Sequence, residues 1–173
     1  HGFIFRGFLP KKPGARRRIL ESLKDSEETL IFYESPQRVP KIMSSLIEIF
    51  GEPISVYTRA QAIADGVLVD LSALAPDVCA QHYKHPVACT ATVWAVIDAA
   101  VKHPRWMNDL NGVVHDLLSM SRARPVRRMG PSQVLFEVII KGAGPRSVFT
   151  FKLAVGPGDD AEPVITLMLP EED

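Results

Sequence analysis

The chain changes its pattern near Phe50, and that change constrains the fold more than any single motif. Before it, apolar runs alternate with helical periods; after it, helices come first and strands last. Phe3, Phe5 and Phe8 make a short apolar strand ended by Pro10, and Lys11-Lys12-Pro13-Gly14 has the chemistry of a basic turn. A helix follows through Arg16 to Lys24, with Ile19, Leu20 and Leu23 on one face. Thr29 to Tyr33 is apolar at its centre, the pattern of a strand buried on both faces. Ser35-Pro36 breaks it, a helical period runs from Val39 to Phe50, and Gly51 stops that helix. Ile54 to Tyr57 supplies a third strand. Such alternation predicts a small βαβαβ segment with a parallel sheet.

The later residues follow other rules. A helical piece and the run Val67-Leu68-Val69 precede a brief helix over Ala73 to Ala80. Thr90 to His103 carries Val93, Trp94, Ile97 and Val101 on an apolar stripe, and a second helix runs from about Met107 to Met120. Arg122 to Pro131 holds four arginines, two prolines and a glycine, and reads as an exposed loop. Three strands follow, Val134 to Lys141, Ser147 to Val155 and Pro163 to Leu169, joined by glycine-bearing turns as in an antiparallel meander. In the second of them Phe149, Phe151 and Leu153 face one way, Thr150 and Lys152 the other. The expected class is therefore α+β: a βαβαβ segment over 1–52, then, over 53–173, helices packed on a three-stranded antiparallel sheet.

With 173 residues, 46% hydrophobic and 23% charged, such a chain can bury a core. No apolar run reaches the length of a membrane span, and no signal peptide opens the sequence, which starts at His1 as a processed, trimmed or partial chain would. Two cysteines are too few for a disulfide scaffold, which points to a reducing cytoplasm. The net charge of zero hides polarity. Residues 1–41 hold nine basic and five acidic side chains, +4, whereas residues 153–173 hold six acidic and no basic ones, −6. Such ends can meet different partners or be ordinary solvated surface.

Four groups of residues can carry chemistry. Cys79, His82, His85 and Cys89 fall within eleven residues and include every ligand type a tetrahedral zinc site uses, although the spacing matches no common finger; the competing reading is core cysteines and surface histidines. Gly156 to Asp160 can offer oxygens to a hard cation or serve as a hairpin turn. Two cationic clusters, Lys11, Lys12, Arg16, Arg17, Arg18 and Arg122, Arg124, Arg127, Arg128, suit phosphate or an acidic partner. Phe8 and Tyr33 beside the first cluster can stack on bases or belong to the core. No G-x-S-x-G, H-E-x-x-H, Walker or G-x-G-x-x-G motif is present.

Phe5-Arg6-Gly7-Phe8-Leu9-Pro10, Lys11 to Arg18 and Leu30-Ile31-Phe32-Tyr33-Glu34-Ser35-Pro36-Gln37-Arg38 resemble the bacterial 2′-O-methyltransferases of small-subunit ribosomal RNA, in the tetrapyrrole-methylase superfamily. The resemblance covers about residues 3–58 and implies part of the C-terminal lobe of that fold. It places Tyr33, Glu34, Ser35, Pro36 and Arg38 at S-adenosylmethionine- and RNA-facing positions. Gln37 stands where the family usually has His, Arg59 leads into Ala60-Gln61-Ala62 instead of the family's R-E-L-T-K, and the lobe with the cofactor loops has no counterpart here. Half a cleft lacks the positioning on which methyl transfer depends.

Phe50 to Ala62, Asp65 to Asp70, Pro86-Val87-Ala88 with Thr90 and Trp94, Phe151 to Asp159 and Glu162 to Asp173 resemble a second family, small bacterial proteins of plasmids, phages and integrating elements. That resemblance covers about residues 43–173 and meets the first at Phe50-Gly51-Glu52, where both families share a string. The resemblance supplies no activity; the expected function is a non-catalytic accessory protein of a mobile element, with no cofactor, acting on an unidentified host or mobile-element protein, an inhibitor of a host defence system being the finer expectation. The alternative is an RNA-binding or S-adenosylmethionine-dependent methyltransferase-like protein.

Overall fold

The computed structural model describes residues 2–51, 56–123 and 125–172. The chain divides into two units, residues 1–57 with 159–161, and residues 58–158 with 162–173. In the first, β1 (Phe3–Phe8) and β2 (Thr29–Tyr33) pair in parallel, Phe3 opposite Thr29 and Phe8 opposite Tyr33. A bulge between Phe5 and Gly7, with Gly7 at φ +61°, lets Phe5 and Phe8 lie on the same side. Helix α1 (Pro13–Glu21) opens on a proline, whose missing N–H costs nothing in the first turn. Helix α2 (Val39–Phe50) ends where Gly51 takes φ +73°. Leu9, Leu20, Ile42, Leu46 and Ile49 make the core, with Phe32 packed against it.

Here the structure departs from two expectations. Strand β2 is buried on one side only: Leu30 and Phe32 turn inward, while Ile31 and Tyr33 are exposed together with Phe3, Phe5 and Phe8. An apolar run fits a strand covered twice, but the helices form a single layer. The third strand expected at Ile54–Tyr57 lies partly outside the described residues, and Val56 and Tyr57 are not in a strand.

The second unit begins with α3 (Arg59–Ala64), opened by a reciprocal capping box between Thr58 and Gln61. Then come β3 (Leu68–Asp70), α4 (Leu71–Leu74), α5 (Pro76–His82), β4 (Val87–Thr90), α6 (Ala91–Lys102), α7 (Leu110–Ala123), β5 (Pro125–Arg128), β6 (Gln133–Ile139), β7 (Val148–Pro157) and β8 (Pro163–Met168). The unit is α+β. Its meander β6-β7-β8 is there, extended to six strands in the order β3-β4-β8-β7-β6-β5, with β4 and β8 parallel and the other pairs antiparallel. Val93, Ile97, Val114, Leu117 and Leu118 from α6 and α7 pack with Phe136, Val138, Phe151, Leu153, Ile165 and Leu167 of the sheet.

Three strands, β3, β4 and β5, go beyond the sequence reading. Arg122–Pro131 is not wholly a loop: α7 continues through Ala123, and Pro125–Arg128 is an edge strand paired with β6. Proline, charge and a bulge between Pro125 and Arg127 are edge features, and they hide the strand from pattern reading. Strand β4 is four residues long, and its last, Thr90, caps α6 by accepting from the Val93 N–H. Lys152, on the face opposite Phe151 and Leu153 as expected, is nonetheless only 2% exposed, flanked in register by Leu135 and Met168. Its ammonium donates to the Glu172 carbonyl. Among the described residues no helix is long and apolar enough to cross a membrane.

Candidate functional site

In the first unit the Glu34–Arg38 loop after β2 is largely a clamp. Arg38 pairs with Glu34 at 3.1 Å and donates to the Leu9 carbonyl at 3.1 Å, tying the loop to the end of β1. Glu34 also accepts from the Ser35 N–H at 2.9 Å. One Glu34 oxygen, Oε2, is buried with no hydrogen-bond partner among the described residues. Tyr33 instead points outward, edge-on to Phe5 at 4.9 Å and to Phe8 at 6.3 Å between ring centroids. The basic cluster splits. Arg16 turns toward Ser45 of α2, and Arg17 pairs with Glu21 and Glu48 at 2.8 and 2.9 Å. Arg18 lies exposed along α1, donating to the Gly14 carbonyl at 3.4 Å, and Lys11 and Lys12 are exposed at its start.

In the second unit the arginines that stand close in sequence part company. Register pairs Arg128 with Val134, which in turn faces Leu153, so Arg128 lies on the helix-covered side of the sheet. Arg127 pairs with Leu135, in the row of Lys152, and lies on the opposite side. Arg124 lies outside the described residues. Arg122, at the end of α7, donates to the His82 carbonyl at 2.8 Å and covers the Tyr83 ring at 5.8 Å from its centroid. Arg122 and Arg128 line one cleft of about 320 Å³ with Tyr83, Ser121 and Gln133, residues that no sequence pattern singled out.

Cys79, His82, His85 and Cys89 are not brought together as a metal centre: among the described residues no group of three or more His, Cys, Asp or Glu can hold an ion. Cys79 on α5 and Cys89 on β4 are both buried in the core. Burial, with the nearby Glu172 charge adding to it, pushes the Cys89 thiol up to about 12. Burial likewise raises Cys79, partly offset by a hydrogen bond from Ser72 and reinforced by Asp70. His82 meets His115 at 4.9 Å between rings and is held below the usual imidazole range, first by desolvation, then by His115 and Arg122. Of Gly156 to Asp160, Gly156 and Pro157 end β7, paired with Val164 and Pro163, and Gly158 begins the turn to β8 with its N–H on the Glu162 carbonyl.

One residue that the sequence reading gave no role of its own organises the start of α6. Glu172 accepts from the Leu169 N–H at 2.7 Å and from the Thr90 hydroxyl at 2.9 Å, and lines a shallow pocket there with Thr92 and Asp65. Desolvation pulls its carboxyl upward, but hydrogen bonds from Leu169, Thr90 and Thr92 and the charge of Lys152 outweigh that and hold it below the usual range.

Residues 47–173 match a family of unknown function, DUF6573. The chain belongs to that family. Its early residues carry a separate likeness. Ribosomal RNA small subunit methyltransferase I of Xylella fastidiosa (strain Temecula1 / ATCC 700964) is 41% identical over 75 residues, 40% of this chain and 28% of that protein. The protein of the same name in Bacillus subtilis is 40% identical over 57 residues, 33% and 20% of the two chains. That of Thermotoga maritima is 44% identical over 50 residues, 29% and 22%. The chain thus spans between 20% and 28% of the length of these relatives. Both resemblances drawn from the motifs are found, the second beginning at residue 47. No solved structure matches.

Proposed function

We propose that this member of the DUF6573 family is a non-catalytic binding protein whose first unit contacts single-stranded RNA. The observation that carries the reading is the open face of β1 and β2. Phe5, Phe8 and Tyr33 stand exposed in edge contact, with Lys11 and Lys12 exposed on the chain just beyond β1. Aromatic rings offer bases a stacking surface worth roughly 1–3 kcal/mol each, and the lysines offer phosphates a salt-sensitive attraction. The relatives named for ribosomal RNA methylation support the choice of RNA over a protein partner. Arg38 and Glu34 are engaged in holding the loop, which favours binding over catalysis with S-adenosylmethionine. A mobile-element setting, with a host RNA-processing or defence component as the physiological target, is the finer form of this proposal.

The test is fluorescence anisotropy of a labelled single-stranded RNA of about ten nucleotides, at two salt concentrations. The expected result is binding that weakens as salt rises and that falls about tenfold with Tyr33→Ala, the loss of one stacked ring. Absence of binding at low salt, or equal binding by the Tyr33 variant, overturns the reading. Calorimetry with S-adenosylmethionine separates the alternative: micromolar binding returns the methyltransferase.

A further inference from the structure

The cleft at the end of α7 in the second unit has a chemistry that neither the RNA reading nor the relatives assign. Arg122 and Arg128 line it, none of its lining residues is acidic, and neither guanidinium has a carboxylate partner among the described residues. Two unneutralised guanidiniums on one small cleft repel each other, and an anion between them relieves that repulsion. Arg122 is held in place without one, by the His82 carbonyl and by stacking over Tyr83, and the β5–β6 ladder sets the backbone from which Arg128 lines the cleft.

The hydroxyls set which groups remain for a ligand. Ser121 donates to the Leu118 carbonyl at 2.7 Å, so the 2.8 Å contact between Ser121 and Tyr83 has Tyr83 as donor. The Tyr83 oxygen therefore presents acceptor capacity, while the remaining Arg122 N–H groups and Arg128 present donors. Ser132 adds a hydroxyl on the sheet side, and Pro125, Pro131 and Val134 give an apolar wall. At about 320 Å³ the cleft sits at the small end of ligand pockets, which run roughly 300–1,000 Å³. Two cations at one end and a flat apolar wall beside a hydroxyl match one phosphorylated nucleoside.

We propose that this cleft binds a nucleoside monophosphate, its phosphate between Arg122 and Arg128 and its base against the proline wall. The same chemistry is offered by a free nucleotide and by the 5′-phosphorylated end of a strand. The proposal is independent of the aromatic face of the first unit.

Calorimetry on the whole chain tests it with AMP, adenosine and a 5′-phosphorylated RNA dinucleotide as probes. AMP binds, adenosine binds at least tenfold more weakly, and Arg128→Gln and Arg122→Gln each lower AMP affinity roughly tenfold or more, as loss of a charged hydrogen bond requires. Arg146→Gln, equal in charge change but in the β6–β7 turn, leaves AMP affinity unaltered. Tighter binding of AMP assigns a free nucleotide, and tighter binding of the dinucleotide assigns a strand end. No AMP binding at millimolar concentration, equal binding of adenosine, or indifference to both arginine changes in variants with native circular dichroism overturns the proposal. Because Tyr33→Ala leaves this cleft intact, its effect on RNA and the arginine effects on AMP fail separately.

Discussion

Glu172 offers the sharpest energetic test. Its carboxylate takes the Leu169 N–H at 2.7 Å and the Thr90 hydroxyl at 2.9 Å, and Thr90 is the N-cap of α6. In Glu172→Gln one oxygen remains to accept, but the charge is lost. Hydrogen bonds to a charged group contribute about 1.5–3 kcal/mol against about 0.5–1.5 for neutral ones, and a negative charge at a helix N-terminus adds about 0.3–1. Because the side chain is half-exposed, the expected loss is about 1–2 kcal/mol, a fall of roughly 0.5–1 M in the urea midpoint. Both tryptophans, Trp94 and Trp106, belong to the second unit, so their fluorescence reports its unfolding. The pH dependence supplies the control. The folded carboxyl lies below its ordinary value of 4.5, so its stabilisation is present above pH 4.5 and is lost as pH falls through the folded value. Wild type and variant should differ at pH 7, and the gap should narrow as pH falls below 4.5. Equal midpoints at pH 7, or a gap undiminished at pH 3, would refute the role given to Glu172.

Two further outcomes follow from the core. Neither cysteine should react with a thiol reagent in the native protein at pH 8, and both should react in denaturant; since the Cys89 thiol is pushed up to about 12, stability should decline only as pH rises above its ordinary value of 9.0. Phe151→Ala empties a fully buried site 5.9 Å from the Phe136 ring and should cost about 3–5 kcal/mol, read as a lowered melting temperature with the first unit's helices retained in circular dichroism.

Much of this was legible from periodicity. The alternation of Phe149, Phe151 and Leu153, the stripe of Val93 and Ile97, and the stop at Gly51 all read directly, because local burial repeats with the local structure. Strand β5 did not, since its proline and arginines serve the sheet edge and mimic a loop. Lys152 did not, because its partner, the Glu172 carbonyl, lies twenty residues away. The cysteine–histidine spacing suggested a metal and lost to burial, with one cysteine on a helix and the other on a strand. The arginines were visible as charge, but which of them share a cleft depended on strand register, and Tyr83 and Gln133 join them only through the fold.

The place of β8 has a consequence for synthesis and quality control. It is made last among the strands, yet it lies between β4 and β7 in the interior of the sheet, and its parallel partner β4 ends about seventy residues earlier. Until residues 163–168 leave the ribosome, both neighbours present unpaired backbone edges, and α6 and α7 lack part of the surface they cover. A premature stop before Pro163 therefore yields two sticky half-sheets rather than a shortened protein, a product suited to rapid degradation.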